Sequence, residues 1–330
     1  AATFPASFST NERRQHNMAD RLDALTVRES NGKSYWTRLG VAWPNKNGPG
    51  YIVKLDAVPA PTEGQFVIHL REPLPREGRP QSMPDAVKAQ WPHQKANNVG
   101  WETKAQVRPS TGTPDQKESY QITRPHMAGL WPSEAELPGF QTTMLAFEAD
   151  CWALGMKVLS CFAQKIGLPE FFFTHAHDKS SPEYQSTLRL LHYYAIPAEV
   201  QDKLDLWRAG AHTDFDCLTL LYQRQGQGGL QVCPGKEFEA QEWTSIPPEE
   251  DLITCNIGDM LMRWSDDLLP SNFHRVKNPQ PGEYMGPRYS VAFFCQANRD
   301  AVIEGPNKKY PAITAGDYLR QRVAANFKPY

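Results

Sequence analysis

No run of apolar residues in this chain approaches the roughly eighteen that a membrane-spanning helix needs. Charge of either sign is not in excess, with 35 Lys and Arg against 37 Asp and Glu and a net charge of -2. That balance leaves no electrostatic footprint for nucleic acid or an anionic membrane surface. The N-terminus is polar and lacks the basic-then-apolar layout of a signal peptide. Cysteine is sparse, and none of Cys151, Cys161, Cys217, Cys233, Cys255 and Cys295 forms a C-x-x-C pair. They read as buried free thiols of a reducing compartment rather than as a disulfide framework. The chain is therefore expected to be cytoplasmic. There is no internal repeat. What the chain does hold is 28 prolines and 22 glycines in 330 residues, the punctuation of many short elements. This length allows one large domain or two ordinary ones, with a sizeable core.

The expected organisation has four parts. Residues 1–17 are polar and read as a disordered tail. Residues 18–75 carry four short β signals: Ala24–Arg28, Ser34–Trp43, Tyr51–Ala57 and Gln65–Leu70, parted by Ser-Asn-Gly-Lys and Asn-Lys-Asn-Gly-Pro-Gly turns. They predict a small N-terminal antiparallel β segment. Residues 76–130, rich in Pro, Gly, Gln and Asn, read as a connector or lid. From 131 to 330 one long helix (about 139–166) precedes short apolar runs at Leu188–Tyr194, Leu218–Gln223, Gly229–Val232, Asp251–Ile257, His274–Val276 and Tyr289–Gln296. The helix stripe Leu145, Ala149, Trp152, Met156, Leu159, Ala163, Ile166 steps by four and three, as a core face does. Asp317–Ala325 reads as a closing helix. The fold class is thus mainly β with helices, a double-sheet jelly roll beside a small β segment.

Chemistry concentrates between Leu188 and Asn298. Ala-His-Thr-Asp places His212 and Asp214 two residues apart, Phe-His-Arg-Val supplies His274, and Arg-Tyr-Ser supplies Arg288 and Ser290. Two imidazoles and one carboxylate hold a metal on one face and leave the opposite face open, the pattern of non-haem Fe(II) sites. His212 and Asp214 at i and i+2 fit a strand end. Alone, H-x-D is a weak signal in a chain with nine histidines, and a hydrogen-bonded surface or core histidine is its ordinary explanation. An Arg-x-Ser pair suits a carboxylate, which a guanidinium grips through two parallel hydrogen bonds.

Eight segments occur in order: Leu-Arg-Leu-Leu-His-Tyr (188–193), Gly-Ala-His-Thr-Asp-Phe (210–215), Leu-Thr-Leu-Leu (218–221), Gly-Gly-Leu-Gln-Val (228–232), Asn-Ile-Gly-Asp-Met-Leu (256–261), Arg-Trp-Ser (263–265), Phe-His-Arg-Val (273–276) and Arg-Tyr-Ser-Val-Ala-Phe-Phe (288–294). Residues 85–330 thereby resemble the 2-oxoglutarate- and Fe(II)-dependent oxygenase superfamily, in the branch similar to isopenicillin N synthase, with a double-stranded β-helix core. The resemblance implies His212, Asp214 and His274 as iron ligands and catalytic centre. It implies Arg288, Ser290 and Tyr193 as contacts of 2-oxoglutarate, O2 as the other co-substrate, and a small-molecule substrate. Phe215 and Phe294 are candidate substrate contacts, although an aromatic in a β core is the plainer account of each. Gly258 reads as a backbone requirement, Asp259 as a turn cap, and Lys117-Glu118 as a solvated charge pair. Trp101 and Trp264 hint at an apolar cavity.

The front of that branch, a strand-helix-strand segment with Gly-Phe-Phe and Asn-His-Gly-like stretches, is not found. Residues 18–75 instead resemble short bacterial β-rich proteins of uncharacterised function, and the composition shift near 73–90 fits a fusion, or a joined reading frame, better than a gradual divergence. The expected activity is hydroxylation of a small organic metabolite with succinate and CO2 as co-products. The alternatives are an Fe(II)/O2 ring-closing oxidase without 2-oxoglutarate, a zinc hydrolase, and a non-catalytic binding protein carrying a degenerate oxygenase domain. Nothing in the sequence demands more than a monomer.

Overall fold

The computed structural model describes residues 22–30, 33–44, 51–55, 69–71, 83–107, 112–195, 207–233, 242–249, 252–280 and 283–326. Its backbone contacts divide the chain into two units, Ala1–Ser82 and Met83–Tyr330. The tail expected at 1–17 lies outside the described residues. Among those described, no helix is long and apolar enough to cross a membrane.

The first unit holds one antiparallel sheet of β1 (Leu22–Ser30), β2 (Lys33–Pro44), β3 (Tyr51–Leu55) and β4 (His69–Arg71), in the order β3-β2-β1-β4. Ser30 pairs with Lys33, so β1 and β2 are joined as a tight hairpin. The register shifts between Ala24, which pairs with Gly40, and Leu25, which pairs with Arg38, so Leu39 is the extra residue of a bulge in β2.

The second unit begins with α1 (Asp85–Lys88), β5 (Gly100–Thr103) and β6 (Lys117–Ile122). The long helix α2 (Phe140–Lys165) and short α3 (Phe172–Ala176) follow. Next come β7 (Thr187–Tyr193), β8 (Ala209–His212), β9 (Leu218–Gln223), β10 (Leu230–Cys233), β11 (Thr244–Ser245) and β12 (Ile253–Ile257). After α4 (Asp259–Trp264) come β13 (Phe273–Val276), β14 (Arg288–Cys295), the pair β15 (Val302–Ile303) and β16 (Ile313–Thr314), and α5 (Ala315–Asn326). A six-stranded sheet, β12-β9-β14-β7-β6-β5, and a four-stranded one, β11-β10-β13-β8, form the jelly roll. Leu191, Tyr193, Ala209, Leu230, Val276 and Ala292 cluster between them.

Because side chains alternate along a strand, the other face of the larger sheet carries Leu188, Leu218, Leu220 and Phe293. These join Cys151, Met156, Leu159 and Ala163 of α2 in the main core. Gly139 in the left-handed conformation precedes α2. At its end Leu168 N–H reaches Ala163 O (2.8 Å) and Gly167 N–H reaches Gln164 O (3.2 Å), with Gly167 at φ 78°. That is a Schellman stop, which needs a positive φ. The buried face follows the expected stripe from Met156 to Ile166, but in the first half it is Glu148, Cys151 and Gly155. A carboxylate lies there because Tyr184 (2.7 Å) and Arg124 satisfy it.

Three expectations need correction. Residues 76–130 are no mere connector, since β5 and β6 complete the larger sheet. Their inward residues are polar, so apolar alternation does not reveal them. Cys161 and Cys255 are exposed, while the other four cysteines are buried free thiols. Trp264 does not share a cavity with Trp101: it is 1% exposed, packs edge-on against Phe172 and Phe173, and borders a separate pocket with His175 and Asn298.

Candidate metal centre

His212 is the last residue of β8, Asp214 follows two residues later, and His274 sits in β13 directly opposite His212. One potential ligand atom from each lies within 4.8 Å of the others. The Nε2 atoms of His212 and His274 stand 3.9 Å and 3.6 Å from Asp214 Oδ1, and the three side chains are 15%, 15% and 10% exposed. Three donors about 2.1 Å from one ion, on one face of an octahedron, would be about 3 Å apart. The set is slightly more open than that and has the right chemistry for iron(II). His212 Nδ1 lies 2.7 Å from Gly210 O. Donation to that carbonyl places the ring proton on Nδ1 and leaves Nε2 bare toward its partners.

Asp214 is held from behind. Thr219 Oγ1 is 2.6 Å from Asp214 Oδ2 and 2.9 Å from Asp216 Oδ2. One hydroxyl carries one proton, so Thr219 donates to one of the two carboxylates at a time. Burial, with Asp214 beside it, pushes the Asp216 carboxyl well above the usual range. Asn256 Nδ2 also donates to Asp214 Oδ2 (3.3 Å). Sequence reasoning misses Thr219, Asp216 and Asn256 as site residues; the repeated Asp in His-Thr-Asp-Phe-Asp is the one available signal.

The Asn-Ile-Gly-Asp turn departs from expectation in two respects. Gly258 has φ -95°, an ordinary value. A Cβ there would stand 2.2 Å from Asp216 O, so space and not dihedral freedom demands glycine. Asp259 opens α4 and is 2% exposed. Its carboxylate pairs with Arg322 (2.5 Å) and accepts from Thr213 Oγ1 (3.0 Å), while its N–H donates to Asp214 O (2.8 Å). It ties the metal loop to α5 rather than capping a turn.

Arg288, Ser290, Ala292 and Phe294 share the inward face of β14. Arg288 is 1% exposed. It donates to Gln227 O (3.1 Å), Ser290 Oγ (3.1 Å) and Gln223 Oε1 (2.9 Å), with its guanidinium 4.9 Å from the Tyr193 ring. Burial lowers its pKa and Tyr193 opposes that. Lys117, 5% exposed, faces the same ring at 5.9 Å and pairs with Asp115 (3.0 Å). Arg208 is a second guanidinium of 1% exposure, its pKa lowered to about 10 by burial and then by Arg288; its Nε has no partner among the described residues. Buried cations this close to one another favour an anion.

The Lys117-Glu118 pair is therefore buried, not solvated. Glu118 accepts from Trp101 Nε1 (2.8 Å), His192 Nδ1 (2.7 Å) and Lys88. Burial opposes its ionisation, yet these bonds hold its pKa near 2. With stacked His192 and Tyr289, 4.7 Å apart, Glu118 and Trp101 line a cavity of about 500 Å³ floored by Leu190, Val291 and Tyr222. Strand alternation turns that floor away from the triad. Phe294 packs with the cluster between the sheets, under the Arg189 guanidinium (4.9 Å). The Phe215 ring meets the Arg322 guanidinium of α5, at 5.3 Å.

Residues 185–297 match the model of the 2OG-Fe(II) oxygenase superfamily. The 2-oxoglutarate-dependent dioxygenase htyE of Aspergillus rugulosus is 32% identical, over 68% of this chain and 72% of its own. Proline hydroxylase buaE of Petromyces alliaceus is 32% identical over 64% of this chain and 66% of its own. Of 2-oxoglutarate-Fe(II) type oxidoreductase hxnY of Emericella nidulans, 33% identical over 58% of this chain, the match spans about half, 53%. The crystal structure of a full-length Neurospora crassa protein in complex with α-ketoglutarate and thymine is similar with a TM-score of 0.64 and 33% identity, over 74% of this chain and 80% of that one. A match to the superfamily model across the triad, and a dioxygenase matched over 72% of its length at 32% identity, carry one conclusion: the chain belongs to the 2-oxoglutarate- and Fe(II)-dependent oxygenase superfamily.

Proposed function

We propose that this chain hydroxylates a small organic molecule, using iron(II) held by His212, Asp214 and His274 and 2-oxoglutarate held by Arg288, Ser290 and Tyr193. The observation that carries the reading is the convergence of two imidazoles and a carboxylate within 4.8 Å, beside a lane of buried cations between the two sheets. Iron(II) with 2-oxoglutarate activates O2, one oxygen atom entering the substrate and the other succinate, with release of CO2. The chain's own residues supply the geometry. Arg288, fixed by Gln227, Gln223 and Ser290, offers a carboxylate a preorganised cation, so little side-chain order remains to be imposed on binding. Thr219 and Asn256 keep Asp214 aimed, and the apolar cluster around Leu191, Ala292 and Phe294 excludes water from the reacting bond.

The test is anaerobic addition of Fe(II) and 2-oxoglutarate to the metal-free full chain, followed by visible absorbance. A weak charge-transfer band is expected, reduced in Arg288→Ala. Release of labelled CO2 from 2-oxoglutarate in air then separates this activity from a ring-closing oxidase, which would release none.

A further inference from the structure

The inward face of the larger sheet continues past Phe294 onto β7, β6 and β5, and there it turns polar. Tyr193 and Leu191 face the space between the sheets, so alternation turns Arg189 the same way. Their register partners Lys117, Ser119 and Gln121 follow. Glu102, paired with Ser119, comes from β5.

Two features make this lane a recognition surface and not only a satisfied interior network. Gln121 is 0% exposed, and its Nε2 donates to Glu102 Oε1 (2.8 Å) and Ser119 Oγ (3.3 Å). Those bonds fix the amide orientation, and Oε1 is left buried with no partner among the described residues. A buried carbonyl oxygen without a donor is costly and asks for an N–H. Glu102 cannot turn away, because Gln106 Nε2 (2.8 Å), Ser119 Oγ (3.2 Å) and His93 Nδ1 (3.2 Å) also hold it. It is a positioning residue for Gln121. The second feature is Arg189, directly opposite Gln121 in the sheet. Its guanidinium lies 4.9 Å from the Phe294 ring, with one nitrogen 3.4 Å from Asn98 Oδ1.

Phe294 links this lane to the metal centre, since it pairs in register with Thr219, whose hydroxyl holds Asp214. Acceptor, donor and aromatic face therefore lie along one stretch of sheet beside the triad. We propose that the lane of Arg189, Gln121 and Phe294 selects a planar cyclic amide or imide. Its carbonyl takes Arg189, its adjacent N–H donates to Gln121 Oε1, and its ring lies against Phe294. This rests on the oxygenase reading of the metal centre.

The test uses the full chain, loaded anaerobically with Fe(II) and 2-oxoglutarate and titrated calorimetrically with uracil, hydantoin and glutarimide. 1,3-Dimethyluracil, which keeps the carbonyls and lacks N–H, and L-proline serve as contrasts. At least one cyclic amide should bind at millimolar concentration or below, and dimethyluracil at least tenfold more weakly than uracil, because a buried acceptor would be left unpaired. Arg189→Met and Gln121→Met should each cost about tenfold in affinity with the charge-transfer band intact. Glu102→Gln should lower the uracil-to-dimethyluracil ratio. A present band with no cyclic amide bound, with equal binding of dimethyluracil, or with L-proline as the sole ligand would overturn the inference. An absent band would fail the oxygenase reading itself and the inference with it. The wild-type comparison decides the matter even if a variant does not fold.

Discussion

At the scale of the residue, the proposed metal centre depends on side chains outside the triad itself. Asp214 is positioned by the Thr219 hydroxyl and the Asn256 amide. Removing an outer hydrogen bond to a ligating carboxylate typically costs 10- to 100-fold in metal affinity. Thr219→Val keeps the shape of the side chain and deletes that bond, so anaerobic iron titration should show a loss of about that size. Circular dichroism should be unchanged. Unaltered iron affinity would mean that Asp214 is held by its backbone alone. The variant also leaves the buried Asp216 carboxyl without its Thr219 hydroxyl partner, so some loss of stability accompanies the loss of affinity.

At the scale of the element, close approach sets the sequence more than conformational preference does. Helix α2 crosses β14 where a Cβ on Gly155 would stand 2.6 Å from Cys295 Sγ. Gly155→Ala improves helix propensity by about 1 kcal/mol but overpacks the contact, at a cost of about 1–3 kcal/mol. The net expectation is a lowered denaturant midpoint, and pairing with Cys295→Ala should restore part of it. No restoration would place the strain elsewhere. The same scale explains what the sequence conceals. Strands β7, β9 and β14 are legible as apolar runs with turn residues at both ends, and α2 by its period and its glycines. Strands β5 and β6 are not, because Glu102, Lys117, Glu118, Ser119 and Gln121 are polar residues held by hydrogen bonds and ion pairs inside the protein. A polar residue in a loop and a polar residue in a paired network look alike in one sequence. The triad is legible because its three residues sit in segments with strong local patterns. The proposed recognition lane of Arg189, Gln121 and Phe294 is not, because its members come from three strands that only the register brings together.

At the scale of the whole second unit, buried titratable groups set how it answers to acid. His177 is fully buried against Phe173, donating from Nδ1 to Phe173 O (2.7 Å). Burial holds its pKa near 4, below the ordinary 6.5. Between those values the unfolded chain binds a proton that the folded chain refuses, so the unfolded state gains as pH falls. The stability from a neutral His177 is fully present above pH 6.5 and is lost as pH drops toward 4, roughly 3 kcal/mol in all. Glu118 continues the trend lower down. Its pKa, near 2 against an ordinary 4.5, gives stability that is present above 4.5 and lost as pH falls through 2. The unfolding midpoint should therefore decline from pH 6.5 downward, through two residues far apart in the sequence. His177→Asn should be less stable at neutral pH, having lost ring packing, yet flatter between pH 6.5 and 4. Glu118→Gln should keep the wild-type slope in that window and lose the difference from wild type only below pH 4.5. Equal slopes for wild type and His177→Asn would show that other groups govern the acid limb and that the buried imidazole gains its proton without opening the core.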